Sequence, residues 1–126
     1  MDAETRAVAE RLRDAIIRRK ARPCDGMRVC RDIDGVEYPD TIGRGAQDFR
    51  RAIPDLSAPA TWGVLLGLLR EHADDWQIES CEDGQALVLW TPRGSGDTVG
   101  GPDARAQVAR PGVALALAIL AAWGEP

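Results

Sequence analysis

Residues 76–92 read Trp76-Gln77-Ile78-Glu79-Ser80-Cys81-Glu82-Asp83-Gly84-Gln85-Ala86-Leu87-Val88-Leu89-Trp90-Thr91-Pro92, and this stretch decides the fold class. From Trp76 to Ser80 apolar and polar residues alternate, the period-two pattern of a strand with one wet face. Glu82-Asp83-Gly84 then has the composition of a hairpin turn. Ala86 to Trp90 is unbroken apolar sequence with β-branched and aromatic content, which predicts a central strand covered on both faces. Pro92 ends it.

Working outward, the segment Thr61–Glu71 places Trp62, Leu65, Leu66 and Leu69 on one helical face with Val64 and Leu68 beside them. A stripe that wide predicts a largely buried helix. Ser57 is a candidate N-cap, and Pro59 suits the first turn. After Pro92 the Gly-rich connection Arg93–Gly101 follows, in which Asp97-Thr98-Val99 is read as a third, edge strand. Asp103–Trp123 is read mostly as helix, with Pro111 near the start of its strongest part. At the other end, Val8, Leu12, Ala15 and Ile16 recur at helical spacing within Glu4–Lys20. Between 23 and 58 the pattern is irregular. Asp25-Gly26, Asp34-Gly35, Tyr38-Pro39-Asp40 and Gly43-Arg44-Gly45 mark turns, Met27–Arg31 alternates like a short strand, and Phe49–Ile53 suits one helical turn. The expectation is one α+β domain over residues 1–126. It consists of an N-terminal helix (1–22), irregular structure with short strands (23–58) and a helix–hairpin–helix core (60–123). Its antiparallel sheet lies between helices as an α/β/α sandwich, because apolar faces must be buried somewhere.

Composition sets the outer limits. The chain has 126 residues, 44% apolar and 29% charged, which suits an ordinary globular protein that buries a core. No run of about 18 apolar residues exists, so no transmembrane helix is expected. The start Met1-Asp2-Ala3-Glu4 is not that of a secretory signal, which places the protein in the cytoplasm of a bacterial host once the resemblance given below is included. The net charge of −4 joins unlike halves: residues 1–53 hold 12 Lys/Arg against 10 Asp/Glu, and residues 54–126 hold 4 against 10. With a pI near 5.0 and one dense basic run, Arg18-Arg19-Lys20-Ala21-Arg22, general nucleic-acid binding is disfavoured. Three cysteines, an odd number, point to reduced thiols rather than a disulfide framework.

The run Pro54-Asp55-Leu56-Ser57-Ala58-Pro59-Ala60-Thr61-Trp62-Gly63-Val64-Leu65 resembles a signature of small phage-encoded proteins, the phage ABA sandwich domain family. Further matching pieces are the strand Ala86–Trp90, the turn Thr98-Val99-Gly100, and Arg110-Pro111-Gly112-Val113-Ala114. In this last piece Gly112-Val113 stands between Pro111 and Ala114, a departure from the family pattern. The resemblance covers about residues 54–122. It implies an α/β/α sandwich and a phage or prophage origin, and it carries no activity with it.

Each group that could do chemistry has a structural explanation beside it. His72 is the sole histidine and sits where a helix dipole favours an imidazole. Cys24, Cys30, Cys81 and His72 could form a Cys₃His zinc site, but five residues separate Cys24 from Cys30, more than the usual two to four or so. No metal and no cofactor is therefore expected. The loop 91–101 is the best phosphate-cradle candidate: its glycines expose N–H groups and Arg93, Ser95 and Thr98 add donors. It lacks the Gly-Lys-Ser/Thr ending of a P-loop. Arg18, Arg19 and Lys20 could hold an anion or merely suit the helix end. Trp123, near the chain end, would serve as an interface anchor for a homo-oligomer or partner if exposed. No residue set reads as catalytic. The sequence thus predicts a non-enzymatic phage accessory protein that binds a host protein, with counter-defence as its setting. The alternative is a protein that sequesters a small nucleotide-like anion between Arg93, the Gly-rich loop and the basic end of the first helix.

Overall fold

The computed structural model describes residues 1–19, 21, 26–42 and 49–125; Lys20, Cys24, Asp25 and the Gly43-Arg44-Gly45 turn lie outside these. Among the described residues there are three α-helices and two three-stranded antiparallel sheets, so the fold is α+β with antiparallel sheets and helices packed on them. The chain divides into two compact units, Met1–Val64 and Leu65–Pro126. No helix among the described residues is long and apolar enough to cross a membrane.

In the first unit, α1 (Ala3–Arg18) starts at Asp2, whose carboxylate accepts the Thr5 N–H at 2.8 Å, a side-chain N-cap. Its apolar stripe, Val8, Ala9, Leu12, Ala15 and Ile16, is buried, and α1 packs against β3. Strands β1 (Met27–Ile33) and β2 (Val36–Ile42) form a hairpin closed by Asp34 and Gly35. Their φ values of 53° and 77° are the two left-handed residues of a type I′ turn, which matches the twist of the strands it joins. The short β3 (Ala52–Pro54) pairs on the other side of β1, giving the order β2-β1-β3. Sequence reading finds the Met27–Arg31 strand and the Asp34-Gly35 turn, but Pro39 disguises β2. It is tolerated because β2 is an edge strand, whose outward side needs no ladder donor.

Helix α2 (Pro59–Arg70) runs across the boundary between the units. Thr61, fully buried in its first turn, accepts the Arg28 N–H and donates to the Arg28 carbonyl, both at 3.1 Å. Ser57 does not cap this helix by its hydroxyl, which donates instead to the Asp55 carboxylate at 2.6 Å.

In the second unit, β4 (Ala73–Ser80) and β5 (Ala86–Pro92) form the expected hairpin, with Asp83 and Gly84 at positive φ in its turn. The third strand differs from expectation: it is β6 (Arg105–Ala109), not Asp97–Val99. The backbone of 97–99 is used elsewhere, since the Asp97 carbonyl accepts from the Thr91 hydroxyl at 3.0 Å and the Val99 N–H donates to Asp75 at 3.0 Å. Residues 105–109, read as helix, instead fill the open edge of β5, where Val108 lies opposite Leu87 and Ala106 opposite Leu89. Pairing at a vacant edge outweighs the high helical propensity of Ala106 and Ala109, since tertiary context overrides local preference. Helix α3 (Pro111–Ala122) therefore begins with Pro111 in its first turn and packs on β5 and β6. On β5, Ala86, Val88 and Trp90 are buried, while Leu87 and Leu89 on the opposite face are only half-buried.

Candidate functional site

The loop after β5 is built as an anion cradle, and the anions it holds belong to the chain itself. Gly94 and Gly96 adopt φ of 88° and 73°, turning their N–H groups to one side. Both donate to the same Asp74 oxygen, Oδ2, at 2.9 and 3.2 Å. The neighbouring Asp75 takes the Val99 N–H. Convergent backbone N–H groups favour a carboxylate as they would a phosphate, because hydrogen bonds to a charged acceptor are the stronger kind. Replacing Asp74 with alanine should therefore hand two exposed donors to water and lower stability by about 0.5–1.5 kcal/mol. Thermal unfolding followed by circular dichroism checks this, with Asp74→Asn losing less because it keeps one oxygen.

Arg93 has a similar internal use. Its Nε donates to the Glu71 carbonyl at 2.7 Å and Nη2 to the Arg70 carbonyl at 2.7 Å, with a longer contact to Ala73 O at 3.4 Å. Its backbone N–H donates to His72 O at 2.9 Å. The guanidinium fork thus caps the last carbonyls of α2, the groups a helix leaves unpaired. Ser95 Oγ accepts the Asp97 N–H at 3.2 Å, and the Thr98 carbonyl accepts the Gly101 N–H. The structure therefore does bring Arg93, Ser95 and Thr98 into one loop. It commits Nε and Nη2 of Arg93 to backbone carbonyls, so the candidate ligand fork serves as a helix cap. Arg18 and Arg19 lie in the other unit, at the end of α1, where the Arg19 N–H closes the helix on the Ala15 carbonyl. Lys20 lies outside the described residues.

The sole histidine is also engaged. His72 Nε2 accepts the indole N–H of Trp123 at 2.9 Å, with the rings edge to face at 82°. Trp123 is 8% exposed. The interface role considered for it required exposure, and the structure corrects that premise. Just beyond Trp123, α3 closes in a Schellman-like turn, with Gly124 at φ 69° and the Glu125 N–H on the Leu120 carbonyl. Among the described residues no three of His, Cys, Asp and Glu converge as metal ligands. Cys30 is half-buried, and burial, then the nearby Asp55 and Glu37 carboxylates, push its thiol above the ordinary range. Cys81 is exposed at the β4–β5 turn. Cys24 lies outside the described residues.

What remains outward is apolar. In an antiparallel ladder, paired residues share a face, so Met27, Val29, Arg31 and Ile33 face the same way as Ile42, Asp40, Tyr38 and Val36. Met27, Val29 and Ile42 on this face are core residues. Past the Arg31–Asp40 ion pair, at 2.6 Å, the same face continues as Ile33, Val36 and Tyr38, which are 53%, 51% and 50% exposed. The apolar face of the hairpin outruns the core that covers its base. Asp32 and Glu37 lie opposite each other on the other face of the hairpin, where Arg6 of α1 pairs with them at 3.6 and 2.8 Å. Sequence reading missed this cluster, although two apolar residues flanking Asp34-Gly35 were its visible signal. Trp76 and Ile78 on the edge strand β4 are 37% and 38% exposed.

Comparison with protein-family models, with curated proteins and with solved structures finds no match to this chain.

Proposed function

We propose that this chain acts by binding another protein rather than by catalysing a reaction, and that the β1–β2 hairpin tip engages the partner. The observation that carries this reading is the trio Ile33, Val36 and Tyr38, each about half exposed on the end of a hairpin whose base is core. Tyrosine at such a position provides a rigid apolar body with a polar end, and aromatic anchors carry much of the energy of protein interfaces. The trio favours a partner that offers an apolar pocket with a polar group for the Tyr38 hydroxyl. The internal use of Arg93, the loop N–H groups and His72 supports binding over catalysis. It also weakens the reading of a nucleotide-like anion sequestered at the loop. A bacterial host protein as partner, and a counter-defence role for a phage, rest on the resemblance of residues 54–122 alone.

Site-specific photocrosslinking tests this reading. A photoreactive aromatic residue at position 38, in protein produced in a bacterial host, should give one discrete protein adduct. Ile33→Ser with Val36→Ser should reduce it severalfold, and the same reactive residue at position 95 should not produce it. An adduct pattern common to both positions, or none at all, would rule the tip out. A rise in melting temperature with ATP or pyrophosphate would return the anion reading to the front, because a bound ligand stabilises by mass action.

A further inference from the structure

Strands at the edge of a sheet expose unpaired N–H and C=O groups, and proteins guard them with prolines, charges, bulges or shortness. Of the four edges among the described residues, three are guarded. β2 carries Pro39 with Glu37 and Asp40, and β3 is three residues long and ends in Pro54. β4 has an irregular register between Ala73 and Asp75 and carries Asp74, Asp75 and Glu79. The fourth, β6, reads Arg105-Ala106-Gln107-Val108-Ala109: no proline, a continuous register with β5, and a single charge at its start. Among the described residues, no backbone hydrogen bond beyond the β5 ladder involves residues 105–109. Val108 is 59% exposed, more than any other large apolar side chain described.

From this edge we infer that the protein self-associates, β6 pairing antiparallel with β6 of a second copy about a two-fold axis through Gln107. The sequence of the strand suits itself in that register. Ala106 falls opposite Val108 of the second copy, and Gln107 falls opposite Gln107, where two amides can exchange hydrogen bonds. The one charge, Arg105, falls opposite Ala109, so no like charges oppose each other. Ala106 and Val108 share the face of Leu87 and Leu89. Pairing therefore extends this half-covered apolar row into the same row of the second copy. The contact is isologous and closes at two subunits, whereas pairing of β6 with the acidic β4 edge of another copy would continue without limit. This dimer does not depend on the hairpin tip, which belongs to the first unit.

Sedimentation velocity over a dilution series, with amide exchange measured at high and low concentration, tests it. The expected result is a reversible dimer in which the amides of 105–109 exchange more slowly as concentration rises. Val108→Lys, at an exposed position, should weaken dimerisation at least about tenfold with unchanged circular dichroism. Ala106→Lys serves if that variant misfolds, and Tyr38→Ser should dimerise as the parent does. A monomer at every concentration overturns the proposal. So does a dimer that survives both lysine variants with β6 amides still exchanging freely.

Discussion

Trp90→Ala should cost about 3–5 kcal/mol of stability, the usual range for emptying the site of a large buried aromatic. Trp90 is the largest fully buried side chain, at 1% exposure, and sits on the central strand of its sheet opposite Trp76. Its indole nitrogen adds a second expectation. Nε1 is buried and has no hydrogen-bond partner among the described residues. An unpaired buried donor carries a desolvation cost of about 1–3 kcal/mol, which Trp90→Phe removes while keeping most of the ring. The phenylalanine variant should therefore lose less than about 1.5 kcal/mol. Urea unfolding followed by far-ultraviolet circular dichroism separates the two variants. If phenylalanine proves as damaging as alanine, the indole N–H has an acceptor and the second argument fails.

Thr61→Val tests the opposite case, a buried polar group whose bonds are all made. Valine keeps the shape, so packing changes little, yet the Arg28 N–H loses its acceptor, while the Arg28 carbonyl keeps the Asp55 N–H at 2.9 Å. A loss of about 1–2 kcal/mol is expected, that of stranding one partly buried donor. Thr61→Ser keeps the hydroxyl and removes one methyl, so it should cost about 1 kcal/mol. If the order were reversed, methyl packing rather than the hydrogen-bond pair would hold this position.

The elements legible in the sequence are those whose pattern is set within one segment. Helix α1 shows its stripe from Val8 to Ile16, and the β4–β5 hairpin shows alternation on one side of Asp83-Gly84 and an apolar run on the other. Strand β6 was not legible. Ala106 and Ala109 read as helix when only neighbours in the chain are weighed, and the vacant edge of β5 decides otherwise. Strand β2 was hidden by Pro39, which excludes a central strand and not an edge one. For the candidate site, the glycines of the 93–101 loop announced a cradle, whereas its occupants lie one strand earlier in the chain. Nothing local to Gly94 and Gly96 says that Asp74 will be there. The same holds for Arg93, whose fork is satisfied by carbonyls at the far end of α2. Trp123 lies near the chain end, where exposure is the local expectation, yet its indole is buried with its N–H on His72, a residue distant in the chain.

The strand orders also bear on how quickly each unit assembles. In the second unit every paired strand is the next one along the chain, β4 with β5 and β5 with β6, so each pairing closes only the loop between neighbours. In the first unit β3 must return past β2 to reach β1, joining Val29 to Pro54 and Cys30 to Ile53 across a longer stretch of chain. Loop closure must be completed before such distant contacts stabilise anything, and folding slows as contacts become less local. In a stopped-flow experiment the β4–β5–β6 meander should gain its amide protection first, leaving the late kinetic phase to the docking of β3 on β1.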